Sequence, residues 1–149
     1  MSKVEAYYKH GHGDNPVILT NAADADALVD AMLAEPFQNS VAALYDLDRP
    51  GVEAAPEIPD HELRIAVDAK ADVGGIRYAG GDDQDVRYVP GATSQREEMF
   101  YIYMDHGEGW PKDSVVSIEQ VRQAVREFVE GNGARPTSFE WRELPEGVL

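Results

Sequence analysis

Ser117-Ile118-Glu119-Gln120 is a capping box, the pattern with which a helix closes its own N-terminus. The serine hydroxyl accepts the backbone N–H three residues on, and the glutamine side chain reaches back to the serine N–H. Ile118, Val121, Val125, Phe128 and Val129 then recur at helical spacing, while Arg122, Gln123, Arg126, Glu127 and Glu130 fill the opposite face. Gly131-Asn132-Gly133 stops the helix. Such a helix needs an apolar surface to lie on, and most of the remaining chain reads as strand. The pattern therefore demands a sheet with a helix packed across it.

The strands have their own signatures. Residues 61–68 alternate strictly, with Leu63, Ile65 and Val67 facing one way and Glu62, Arg64 and Ala66 the other. Ile76-Arg77-Tyr78-Ala79 and Val86-Arg87-Tyr88-Val89 flank residues 80–85, a hairpin with an acidic tip. Residues 40–47 form a buried strand, and residues 98–104, the most hydrophobic run, are expected at the centre of the sheet. Residues 4–8 and 17–20 make a hairpin around the turn formers His10 to Pro16. An early helix begins at Thr20 or Asn21 and runs to about residue 35, with Ala25, Leu28, Val29 and Met32 as its apolar stripe. Residues 49–60, with three prolines, read as a loop, and residues 137–142 as a last strand. The expected fold is α+β: one domain over residues 1–149, an antiparallel meander sheet with one N-terminal and one C-terminal main helix. No apolar run is long enough for a membrane span, the first residues lack a signal-peptide core, and there is no cysteine. A cytoplasmic protein is expected.

Charge narrows the function. Thirteen Lys and Arg against 28 Asp and Glu give a net charge of −15. That field repels nucleic acid and draws basic proteins, although acidity also serves solubility alone. His10-Gly11-His12-Gly13-Asp14 matches the opening of a metallo-hydrolase site. Such a site needs at least three protein ligands and an open position, and only His61 and His106 remain to supply more. Gly11, Gly13, Asp14, Asn15 and Pro16 are also what a turn between strands requires. No nucleophile motif, phosphate loop or dinucleotide fingerprint is present, so no catalytic residue, cofactor or metal is assigned. Asp82, Asp83 and Asp85 crowd the hairpin tip without the spaced ligand series of a calcium loop. Asp105, Glu108 and Trp110 share an irregular segment before the capped helix. A Trp among acidic neighbours resembles a protein-interface anchor. Its alternative is an indole folded over the edge of the core.

The order of pieces resembles a known family. His61-Glu62-Leu63-Arg64-Ile65-Ala66-Val67-Asp68 precedes Gly75-Ile76-Arg77-Tyr78-Ala79-Gly80 and then Phe100-Tyr101-Ile102-Tyr103-Met104. Val116 to Phe128, Arg135-Pro136-Thr137 and Glu140-Trp141 complete the set. This arrangement is similar to the Imm-one type of immunity protein from actinobacterial polymorphic toxin systems. The resemblance implies an antidote, often encoded beside a deaminase toxin, and implies no catalytic residues. Joined to the charge, it leads to an expected function: an immunity protein that neutralises a cognate basic toxin by blocking its nucleic-acid groove. Asp82, Asp83, Asp85, Asp105, Glu108 and Trp110 are its candidate contacts. The alternative is a small metal-dependent hydrolase using His10, His12 and Asp14.

Overall fold

The computed structural model describes residues 3–49, 51–52, 55–80 and 83–145. Strands β1 (Val4–Tyr7) and β2 (Val17–Leu19) pair antiparallel, joined through a 3-10 turn at His10–Gly13. Asn21 caps helix α1 (Ala22–Leu33), its side chain accepting the Asp24 N–H at 2.8 Å, and the helix buries Ala25, Leu28, Val29 and Met32. Strand β3 (Val41–Asp46) follows. The proline-rich stretch expected as a loop instead forms a small ribbon of β4 (Gly51–Val52) and β5 (Ala55–Pro59). Prolines lack the N–H that a central strand must donate, which suits them to such an edge structure.

The main sheet continues with β6 (His61–Asp68), β7 (Val73–Gly80) and β8 (Asp83–Tyr88). Residues 98–104 do not lie at its centre. Strand β9 (Phe100–Tyr103) pairs only with β10 (His106–Gly109), as a separate two-stranded ribbon. Its apolar character has another cause. Met99, Tyr101 and Trp110 bury themselves with Val41 and Ala66, making a second core on the sheet face away from the helices. The Ser40 hydroxyl accepts the Ile102 N–H at 3.0 Å and ties the ribbon to the start of β3.

Strand β11 (Val116–Ser117) pairs with one end of β7 and leads into α2 (Ile118–Glu130). The capping box forms as expected, with Gln120 N–H on the Ser117 hydroxyl at 3.1 Å and Ser117 N–H on Gln120 at 2.9 Å. Ile118, Val121, Ala124, Val125, Phe128 and Val129 are buried against the sheet. The last strand is shorter than expected: β12 covers only Arg142–Glu143, paired with β8. Residues 137–141 bend instead, because Glu127 accepts the Thr137 and Ser138 N–H groups and the Trp141 indole donates to Pro136 O. The sheet order is β12-β8-β7-β6-β3-β1-β2, antiparallel throughout.

Consecutive glycines in β7 serve both faces. A Cβ on Gly74 would sit 2.3 Å from Ala66 O and 2.8 Å from the Val121 side chain. One on Gly75 would lie 2.7 Å from the Trp110 ring. Since strand side chains alternate, one glycine admits α2 and the next admits the indole. No helix among the described residues is long and apolar enough to cross a membrane.

Candidate functional site

The two histidines of the metal-like stretch point to different jobs. His12 is buried, accepts the Tyr8 backbone N–H on Nδ1 at 3.2 Å and stands edge-on to the Tyr8 ring at 4.5 Å. Burial lowers its pKa, so the ring stays neutral as a packing and hydrogen-bonding group. His10 is exposed and bonds Asp105 at 2.8 Å across the tip of the β9–β10 ribbon. The turn between β9 and β10 is tight, with Met104 and Asp105 both at positive φ. Among the described residues, no three His, Asp or Glu side chains are placed to hold a metal ion.

Trp110 is buried and Glu108 partly so. Trp110 is 2% exposed, edge-on to Tyr101 at 5.4 Å, with the Arg77 guanidinium 4.6 Å from its ring. The packed reading of this indole, rather than the interface anchor, is what the fold adopts. Glu108 takes the Trp110 indole N–H at 3.1 Å, Arg77 at 3.1 Å and a short hydrogen bond from Arg64. Burial pulls the Arg77 pKa down and Glu108 opposes it, so the carboxylate compensates a cation that the sheet has largely desolvated. Glu108 is thus the pin that fastens the ribbon over the sheet.

The acidic candidates do not share an edge. Gly80 pairs with both His61 and Asp83, which puts the β7–β8 tip at the end of the sheet where β6 begins. Asp105 meets His10 beyond the other end, past the last residue of β1. Asp82 lies outside the described residues, and for Asp83 and Asp85 only the strand backbone is described.

Register reveals residues that the sequence reading passed over. On the face away from the helices, Ile18 sits opposite Glu5, and Glu5 opposite Tyr45. Tyr45 donates to Glu62 at 2.5 Å, and Glu62 sits opposite Ala79. The next row runs Tyr7, Ala43, Arg64, Arg77 and Tyr88. Ribbon residues cover this second row from Arg64 onward, for Tyr103 stacks on Arg64 at 4.5 Å and Glu108 holds both arginines. The Ile18–Glu5–Tyr45–Glu62 row lies outside that cover, half-exposed or exposed along its length. Tyr7 donates a short hydrogen bond to Glu5 and meets Tyr45 edge-on at 6.0 Å. Burial, reinforced by Glu5, pushes the Tyr7 pKa up to about 12, and burial beside Glu62 raises that of Tyr45, so both hydroxyls stay donors. The available signal was placement: tyrosines and carboxylates at strand positions alternating with the core.

The pattern of the Imm1 immunity protein family matches residues 13–143 of the 149-residue chain. No curated protein matches it.

Proposed function

The chain belongs to the Imm1 immunity protein family, and on that premise we propose that it binds a basic, nucleic-acid-targeting toxin, a deaminase by the resemblance noted above, and covers its substrate groove. The observation that carries this reading is the net charge of −15 on a chain of that family. An enzyme that edits nucleic acid presents cationic and aromatic groups to phosphates and bases. An acidic protein competes for that groove by charge complementarity and needs no chemistry of its own. Inhibition takes place in the cytoplasm, where the nucleic acid is. Asp83 and Asp85 at the start of β8, Asp82 just before them in sequence, and Asp105 at the ribbon tip supply steering charge. Glu108 and Trp110 contribute by keeping the ribbon seated.

The test is to express the C-terminal domain of the toxin encoded beside this chain and assay deamination of single-stranded DNA and RNA as the chain is added. The expected result is a stable complex with activity lost at stoichiometric ratio. Undiminished deamination with the chain in excess would overturn the inhibitor reading. A complex that still binds the nucleic acid would overturn groove blocking alone.

A further inference from the structure

Ile18, Leu47 and Ile58 are the large apolar side chains left exposed among the described residues, at 44%, 47% and 53%. Scattered singly they would mean nothing. Ile18 and Leu47 meet at one place. A cleft at one end of the outer sheet face is lined by Glu5, Tyr7, Tyr45, Leu47 and Pro59, with the charged groups Asp46 and Arg49 also in its wall. Ile18 sits opposite Glu5 across the β1–β2 pair. Leu47 is held there by its N–H on Lys3 O at 2.9 Å. Apolar residues thus rim a floor of two tyrosine rings, the composition of an interface centre rather than of a solvated face.

Charge selects the occupant. Glu5 is half-buried, accepts the Tyr7 hydroxyl, and pairs with no Lys or Arg in any ion pair among the described residues. By contrast, Glu62 and Glu108 on the same face are matched by Arg64 and Arg77. Arg49 in the cleft wall is paired with Asp60 at 3.7 Å, so the charge left unmatched by an ion pair is that of Glu5. A carboxylate beside two tyrosine rings is a receptor for a cationic side chain. The acidic β7–β8 tip stands at the same end of the sheet, since Ala79 opposite Glu62 is followed by Gly80 of that tip.

We propose that this cleft is the anchor site for a lysine or arginine of the cognate toxin, with an apolar neighbour of that residue seated on Ile18 and Leu47. The inference rests on the immunity reading and goes beyond it by naming the surface. The probe is the purified C-terminal domain of the adjacent toxin, titrated calorimetrically into the intact chain. Glu5→Gln, and separately the pair Ile18→Ser with Leu47→Ser, should each weaken binding about tenfold or more, and Glu5→Lys about a hundredfold. Thermal unfolding checks that each variant remains folded. Variants that are folded yet bind like the parent would overturn the cleft while leaving the immunity role standing. A parent chain that fails to bind the toxin would overturn both. Light scattering of the chain alone provides a further arm: a dimer dissolved by Ile18→Ser would assign the cleft to a second copy of the chain and overturn the proposal.

Discussion

Protonating His61 on Nε2 would place an N–H against the Asp46 backbone N–H, which that nitrogen accepts at 2.8 Å, while Nδ1 faces Asp60 at 2.9 Å. The ring is 3% exposed and packs near Phe128. Burial lowers its pKa, against the opposing pull of Asp60. The sign follows: the unfolded chain takes up the proton at its ordinary value of 6.5 and the folded chain resists, so His61 contributes stability above that pH that is lost as pH falls below it. His12, also lowered by burial, acts in the same direction. Urea denaturation from pH 7.5 downward should show stability declining below about pH 6.5, and His61→Gln should flatten part of that decline. A pH-independent parent between about 7 and 5 would refute it. Trp110 offers a second test at this scale. Trp110→Ala should cost about 3–5 kcal/mol of stability as a buried aromatic truncation, and Gly75→Ala should also destabilise by displacing the same ring. If chemical denaturation finds Trp110→Ala neutral, the indole is not core. Its fate was not legible locally, because the burial of a Trp after Gly-Glu-Gly depends on where a distant ribbon lands, and the seat is a glycine 35 residues upstream.

Among the elements, α2 was the most legible because cap, stripe and stop all agree within 17 residues of sequence. The alternation of residues 61–68 likewise named β6 to the residue. Local pattern does not separate a central strand from a strand that caps a sheet face, since both are apolar on consecutive positions; hence residues 98–104 read as central although β9 pairs only with β10. The last strand was overestimated for a related reason: Phe139 and Trp141 pack on the core without laddering. The interface-like row across β2, β1, β3 and β6 was illegible because it exists only once register is known. Helix phase can be tested directly. Phe128→Ala, at a fully buried position, should cost about 3–5 kcal/mol. Arg126→Ala loses its ion pairs to Asp26 on α1 and to Glu119, yet the side chain is partly exposed, so its cost should stay within about 1 kcal/mol. Equal stabilities for the two variants would mean the helix faces the sheet differently.

At the scale of the whole molecule, charge and anchor should separate in kinetics. A field of −15 acts over about a Debye length, roughly 8–10 Å at ordinary ionic strength, and so speeds encounter with a cationic groove without depending on close fit. Rim charges then govern the association rate, whereas desolvated contacts govern how slowly the complex parts. Replacing Asp82, Asp83 and Asp85 by Asn removes three of the 28 acidic residues, and Asp83, opposite Gly80 where β8 begins, lies at the same end of the sheet as the cleft. That variant should associate more slowly with the adjacent toxin and show a shallower dependence on salt, with dissociation almost unchanged. Asp105→Asn should have the smaller effect, because Asp105 meets His10 beyond the far end of β1, away from the cleft. Stopped-flow association at two salt concentrations measures both. An association rate indifferent to salt and to all four substitutions would remove electrostatic steering from the mechanism. It would leave recognition to the tyrosine-floored cleft, where the burial of one cation beside Glu5 sets the lifetime of the complex.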